Sequence, residues 1–174
     1  MLNTPQNDEY SLFYQGYIDR FPQGTDLFAV WQRQADELAE LVGKLSETDA
    51  GTRPSPNEWS VKEVIGHICD TERVMAYRAL WIARNSKTQL PVFNQDDFVN
   101  ATDFNARSIS NLVDEFCAQR QANVLTFTSL SETEIDRRGT TSGGSAMSVR
   151  ALLFIIAGHV EHHIESLKTD YHLG

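Results

Sequence analysis

The sequence predicts an all-α protein, a four-helix bundle, on three observations. Four long segments carry apolar residues at the three- and four-residue spacing of amphipathic helices. Alternating patterns typical of strands are nearly absent. A length of 174 residues suits one domain with a sizeable core. We therefore expect a single domain over 1–174, with an aromatic-rich arm at 1–24 packed on the bundle.

The first long helix is predicted from about Asp26 to Leu45, with Thr25 as a possible N-cap. Its inward positions recur at helical spacing and include one amide: Leu27, Val30, Trp31, Gln34, Leu38, Leu41 and Leu45. Before it, the segment from Tyr10 to Phe21 is predicted to be an irregular or short helical arm.

The second long helix begins at a capping box, with Ser60 as N-cap and Glu63 three residues later. Trp59 and Val64 flank this start at the positions of a hydrophobic staple. The apolar pattern continues to about Asn85.

A long connection, 86–105, then leads to a third helix at about 106–129. Its length favours a segment that crosses the bundle over a tight hairpin. We therefore expect a topology other than simple up-down-up-down.

A second capping box, Ser131–Glu134, predicts a short helix. The segment 138–146 is rich in glycine, serine and threonine and is predicted to be a loop. Within it, Ser142–Ser145 resembles no phosphate-binding loop. Ser148 is the predicted N-cap of the fourth long helix, which extends to about Tyr171.

Composition limits the classes of partner. Fifteen basic against 24 acidic residues give a net charge of −9, which disfavours nucleic acid and anionic membranes as partners. The start of the chain has no signal-peptide pattern. Ala151–Gly158, the longest apolar run, is too short to span a bilayer. The two distant cysteines indicate a reducing, cytoplasmic location.

Histidines supply the main functional signal. His159 and His163 lie four apart on the stripe that continues Leu152 and Ile156, so they face the core of the fourth helix. His162 lies off that stripe and is expected at a rim or among the residues that surround the ligands. His67 lies on the inner face of the second helix. Two ligands on one helix and a third on a facing helix predict a metal site in the bundle core.

Three neutral imidazoles suit a divalent transition metal such as Zn²⁺, Ni²⁺, Fe²⁺ or Co²⁺. Three protein ligands leave coordination positions open, which is typical of a reactive site. Such an ion lowers the pKa of a bound water to ~7 or activates a substrate thiolate. The alternative is that each histidine is an ordinary buried core residue without a metal.

Other catalytic motifs are excluded by single positions. The zincin motif needs glutamate where Val160 stands, and its inverted form needs glutamate where His162 stands. A carboxylate-bridged di-iron site needs glutamate three residues before each ligand histidine, where Ile156 and Val64 stand. The chain also lacks the G-x-S-x-G elbow of serine hydrolases.

Two acidic residues are candidates for a general base or for an acceptor that orients a ligand histidine. Glu72 lies beyond His67 on the second helix, and Asp96 lies in the long connection, which could fold over the open end of the bundle. The competing interpretation for each is a surface or interhelical salt bridge. Arginines of the helices could likewise hold an anionic substrate.

Together, these residues resemble the DinB-like superfamily, the metal-binding four-helix bundles related to YfiT-type proteins and not the DNA polymerase that shares the name. The matching motifs are Trp59–His67, Asp70–Arg73, and His159 with His163. The resemblance covers about Asp26 to Tyr171. It implies a metal held by His67, His159 and His163, an unusual helix order, and a homodimer.

The resemblance implies several activities. Some members transfer low-molecular-weight thiols or are thiol-dependent isomerases, and others are described as metal-dependent hydrolases. We expect an enzyme with a small-molecule substrate that activates a thiol, used as co-substrate, or a water molecule. The alternative is a non-catalytic, metal-stabilised bundle that binds a small ligand or a partner.

Overall fold

The computed structural model describes residues 2–86, 88–140, 144 and 146–174. The α-helices are α1 (Gln15–Ile18), α2 (Leu27–Val42), α3 (Glu47–Gly51), α4 (Val61–Ala83), α5 (Gln95–Asn100), α6 (Ile109–Thr128), α7 (Glu132–Ile135) and α8 (Val149–Thr169). Short 3-10 helices span Leu12–Tyr14 and Phe104–Ala106. Strands β1 (Arg138–Thr140) and β2 (Ala146–Ser148) pair antiparallel, with Gly139 opposite Met147.

The four long helices, α2, α4, α6 and α8, form the predicted bundle, and each packs mainly on two of the others. Helix α4 packs on α8 and α6, and α2 packs on α6 and α8. Two of the three consecutive pairs, α2–α4 and α6–α8, therefore lie diagonally opposite, whereas α4 and α6 are neighbours. This order differs from the simple up-down-up-down bundle, as the sequence predicted.

Cross-helix contacts fix the helix directions. The α4–α8 and α2–α6 pairs run antiparallel, while the α4–α6 and α2–α8 pairs run parallel. The antiparallel directions follow from Trp59–Tyr171 and His67–His159 for α4–α8, and from Ala35–Cys117 and Trp31–Phe127 for α2–α6. The parallel directions follow from Ser60–Asn105 and Glu72–Asn123 for α4–α6, and from Gln34–Ala157 and Glu37–Lys168 for α2–α8. Because α4 and α6 are parallel and consecutive, the segment that joins them must run back along the length of the bundle.

The long connection after α4 makes that return. It runs back along α4: Trp81 Nε1 donates to Thr88 O at 3.0 Å, and further on Arg78 donates to Pro91 O at 3.0 Å. Helix α5 then packs on α4, and Asn105 ends the path beside Ser60 at the start of α4. The connection thus joins parallel neighbours instead of crossing to the far side of the bundle.

Capping accounts for the helix starts and corrects one of them. Ser60 and Glu63 form the predicted capping box, and Ser148 caps α8. The N-cap of α2 is Asp26, which accepts a hydrogen bond from Ala29 N. Thr25 is not the cap, because its hydroxyl donates to Pro22 O at 2.7 Å instead.

Several helix ends differ from the prediction by two or three residues. Helix α2 stops at Gly43, and α4 stops before Asn85, which has a left-handed φ of 58°. Helix α6 starts after Ser108, its N-cap, because a 3-10 turn occupies the residues just before it. Helix α8 ends at Thr169, with Asp170 as its C-cap. Periodicity alone continues through such positions, whereas capping ends the helix.

The prediction of a loop at 138–146 was wrong at both ends of that segment. Residues 138–140 and 146–148 form the β1–β2 ladder, which is too short to show an alternating pattern. Of the glycine- and serine-rich stretch Ser142–Ser145, only Gly144 lies within the described residues.

The core of the bundle is apolar over most of α8, from Val149 to Val160. Trp31, Leu38, Ile65, Leu112 and Phe116 surround it from the other three long helices. Even so, no helix within the described residues combines the length and the apolar character that a membrane span needs.

The N-terminal segment packs against α8 at a glycine. A Cβ added at Gly158 would lie 2.3 Å from Tyr17 O and 2.5 Å from Tyr17 Cβ. Ile18 and Phe21 anchor the same segment in the core, with Phe21 stacked edge-on to Phe154 at 6.2 Å. The residue before His159 therefore has to be glycine for α1 to approach this closely.

We expect Gly158→Ala to lower the free energy of unfolding by about 1–3 kcal/mol, because the added methyl overlaps the backbone of α1. Gly16→Ala is the matched control: its Cβ would meet nothing within 4 Å, and alanine favours the helix. Urea unfolding measures both variants. Equal stability of Gly158→Ala and Gly16→Ala would contradict the close approach.

Candidate metal centre

Three histidines meet where α4 packs on α8. His67 Nε2 lies 2.9 Å from His159 Nε2, and His163 Nε2 lies 3.1 Å from the same atom. One ring nitrogen from each of the three residues lies within 4.8 Å of the others. His67 and His159 are buried and His163 is partly exposed. The structure thus brings together the three residues that the sequence singled out.

The two nitrogen–nitrogen distances from His159 are close to those found around one small cation. Two nitrogens bound to a tetrahedral ion at ~2.0–2.1 Å lie roughly 3.3–3.4 Å apart. The distances from His159 are slightly shorter than that. Three converging lone pairs repel one another unless a proton or a cation lies between them. The donor set, three imidazole nitrogens, is one that Zn²⁺, Ni²⁺ and Fe²⁺ accept.

Burial keeps these imidazoles neutral. Desolvation, aided by nearby His162, lowers the pKa of His67 from 6.5 to about 4. Desolvation and the neighbouring histidines lower the pKa of His163 to about 3. Burial also lowers the pKa of His159 well below 6.5, and the charge of Arg120 adds to this. All three rings therefore carry free lone pairs at neutral pH.

The His67 ring is held on two sides. Thr71 Oγ1, one turn further along α4, lies 3.3 Å from His67 Nδ1. A hydrogen bond there leaves Nε2 to face the other two histidines. The Trp59 ring packs against His67 with centroids 4.9 Å apart. Trp59 thus flanks the site as well as the start of α4.

The N-terminal arm contributes the other aromatic contact. The Tyr17 ring meets His159 edge-on, with centroids 5.8 Å apart and an interplanar angle of 86°. It also lies 5.9 Å from the ring of His162, which is exposed. His162 therefore lies at the edge of the cluster, as its position off the stripe predicted.

A buried polar network adjoins the histidines and joins all four long helices. Arg120 Nε donates to Glu72 Oε2 at 2.7 Å, and Arg120 Nη1 donates to Gln34 Oε1 at 3.1 Å. Gln34 Nε2 in turn donates to Ala157 O at 2.9 Å and to Glu161 Oε2 at 2.7 Å. Because Ala157 and Glu161 flank His159 on α8, the network fixes this helix relative to α2, α4 and α6.

Of the two acidic candidates, Glu72 belongs to that network. Asn123 donates to Glu72 Oε1 at 2.9 Å, so both carboxylate oxygens have partners. Asp96 is exposed in the first turn of α5, where its backbone N–H bonds the Asn94 side chain at 3.0 Å. The histidine cluster includes neither carboxylate. A catalytic role for either one stays a prediction.

Residues 31–167 match the family model of the DinB superfamily. The chain belongs to the DinB superfamily. The match includes all three histidines and begins after the N-terminal arm. A search of curated proteins gives no significant match to this chain.

Solved structures of low sequence identity share the fold. YfiT from Bacillus subtilis, described as a probable metal-dependent hydrolase with an unusual four-helix bundle topology, aligns with a TM-score of 0.76 and 13% identity over 88% of this chain and 94% of YfiT. A mycothiol-dependent maleylpyruvate isomerase aligns with a TM-score of 0.67 and 10% identity over 82% of this chain and 59% of the isomerase.

A third solved structure, the DinB-like protein YjoA from Bacillus subtilis, aligns with a TM-score of 0.60 and 19% identity, covering 85% of this chain and 90% of YjoA. The three alignments show that this chain shares its overall fold with these solved structures.

Sequence reasoning missed three residues that contact the centre or its support. Gln34 was the one amide among the inward positions of the first helix, and a buried amide requires hydrogen-bond partners. Thr71 shares the face of His67 one turn on, which is a usable signal. Tyr17 gave no signal, because its position depends on how the arm packs.

We expect Glu72→Ala to lower the free energy of unfolding by about 3–5 kcal/mol, because it leaves the buried Arg120 charge without its partner. Glu165→Ala, which removes the exposed pair with Arg20, is the control and should cost under ~1 kcal/mol. Urea unfolding measures both. Similar losses in the two variants would show that the buried pair carries no special weight.

Metal-free protein should lose stability as the pH falls from 6.5 towards 4. The upper limit is the pKa of an exposed histidine, and the lower limit is the pKa of His67 in the folded protein, about 4. In this window the unfolded chain binds protons that the folded protein does not bind, so the free energy of unfolding falls with pH. His163→Ala should make this dependence shallower, since it removes a group whose pKa is lowered to about 3.

Val160→Ala is the control, because it weakens the same helix without removing a titrating group. Its curve should lie below that of the parent at every pH and keep the same slope. The measurement is urea unfolding of metal-free protein at several pH values. An unchanged slope in His163→Ala would contradict the assignment of a depressed pKa to His163.

Proposed function

We propose that His67, His159 and His163 hold one divalent transition metal ion, and that the protein is a metal-dependent enzyme with a small-molecule substrate. The observation that carries this proposal is the convergence of three neutral imidazole nitrogens within 4.8 Å across α4 and α8. Zn²⁺, Ni²⁺ and Fe²⁺ all suit this donor set. When bound, such an ion supplies a Lewis acid that acidifies a thiol or a water molecule.

The chain's own residues orient the ligands and limit solvent access. Thr71 holds one ring nitrogen of His67, so that the other nitrogen stays free to bind. The rings of Trp59 and Tyr17 pack against those of His67 and His159. The partly exposed His163 leaves one side for the approach of a substrate. Three protein ligands with an open side are the arrangement of a reactive site.

We favour activation of a low-molecular-weight thiol for transfer to an electrophile, because one solved structure with this fold is a mycothiol-dependent enzyme. In such a transfer a sulfur–carbon bond forms, the bond to the leaving group breaks, and the thiol proton is released. Hydrolysis by an activated water is the second candidate, because YfiT is described as a probable metal-dependent hydrolase. Fold likeness alone supports both.

We expect about one transition-metal ion per chain in untagged protein, or after reconstitution with Zn²⁺, Ni²⁺ or Fe²⁺. His159→Ala should lose the ion, because it removes the nitrogen that lies between the other two. His162→Ala is the matched control and should keep it, because this neighbouring ring is exposed at the edge of the cluster. Elemental analysis measures the metal content of all three.

Metal-loaded protein is then assayed with small thiols and monochlorobimane, and separately with p-nitrophenyl esters. Thiol transfer that His159→Ala abolishes supports the first candidate, and ester hydrolysis with the same dependence supports the second. A metal-loaded protein that is inactive in both assays and unfolds when a chelator removes the ion would favour a metal-stabilised, non-catalytic bundle instead.

The same proposal includes a homodimer in a reducing, cytoplasmic location. Sedimentation equilibrium measures the oligomeric state.

Both cysteines are free, with Cys69 buried and Cys117 half-buried. Burial raises the pKa of both thiols, so neither is suited to act as a thiolate itself.

A further inference from the structure

Tyr17 lies outside the part of the chain that matches the DinB family model, yet it contacts the histidine centre. The match begins at residue 31, and Tyr17 belongs to α1 of the N-terminal arm. Its ring meets the buried His159 edge-on and also contacts His162. One side of the centre in this chain is therefore formed by the arm, from outside the matched residues.

Several contacts hold the N-terminal arm in place around Tyr17. The backbone of Tyr17 lies directly on Gly158, the residue before His159. Ile18 and Phe21, both buried, anchor the next turn in the core. Beyond the histidines, Arg20 Nη1 reaches Glu165 Oε2 on α8 at 2.8 Å. These contacts place the Tyr17 ring by the packing of the arm as a whole.

We propose that Tyr17 is a wall of the metal site, which shields His159 and hinders access to an ion bound there. This inference rests on the proposed function, since a wall matters only where a metal and a substrate bind. The ring carries the role, because the contact with His159 is an edge-to-face ring contact. Phenylalanine should therefore replace tyrosine here, and alanine should not.

The first test needs no metal. In metal-free protein, diethyl pyrocarbonate modifies accessible imidazoles, and mass spectrometry measures the rate at His159. Tyr17→Ala should raise that rate about three- to tenfold, the change expected when one aromatic contact is lost from a local opening equilibrium. Tyr17→Phe should match the parent.

Tyr14→Ala is the matched control. Tyr14 is a half-buried aromatic residue of the same arm that contacts Tyr17 and Phe13. Within the part of the chain that the structure describes, its ring contacts no histidine. Its loss should leave the rate at His159 within about twofold of the parent. A rate in Tyr17→Ala equal to that of the parent, or equal acceleration in Tyr14→Ala, would overturn the proposal.

The second test uses Co²⁺-loaded protein and an excess of EDTA. Tyr17→Ala should bind the same amount of cobalt as the parent and release it about three- to tenfold faster, because the wall that hinders the chelator is gone. Unchanged release would contradict the proposed wall. A parent that binds no cobalt contradicts the proposed function instead, and the modification rates of His159 still decide whether Tyr17 is a wall.

Discussion

Burial of three imidazoles at one contact between two helices is the constraint on which the rest of this structure depends. His67 and His159 lose nearly all contact with water, and their nitrogens meet at 2.9 Å. A charged imidazole cannot be accommodated there without a partner, so the rings stay neutral and present lone pairs to one another. Such a contact lowers the stability of the core when no ion is bound, and it offers ligand atoms to a cation.

The surrounding residues hold this contact in place. Gln34, Glu72, Arg120 and the Ala157 carbonyl come from four different helices and share one chain of hydrogen bonds. A buried charge without its partner is strongly destabilising. The helices must therefore be arranged so that Glu72 and Arg120 meet. Gly158 adds the close approach of the arm. Together these contacts set the relative positions of α4 and α8, and with them the spacing of the histidines.

Local signals in the sequence were sufficient for the helices and for the cluster of three histidines. The capping box at Ser60 and the four-residue spacing of His159 and His163 depend only on neighbouring residues. The helix directions, the β1–β2 ladder and the Tyr17 contact could not be predicted in this way, because they depend on residues far apart in sequence. Gln34 is intermediate: its burial was predictable, and its partners Arg120 and Ala157 were not.

The central claim is that one ion binds all three histidines at once. X-ray absorption at the metal edge of zinc-loaded protein tests it most directly, because this measurement reports the number and type of atoms around the ion. The account predicts three imidazole nitrogens at ~2.0–2.1 Å, completed by one or two oxygen or sulfur ligands from solvent or substrate. A shell with fewer than three imidazoles, or one unchanged in His159→Ala, would contradict it.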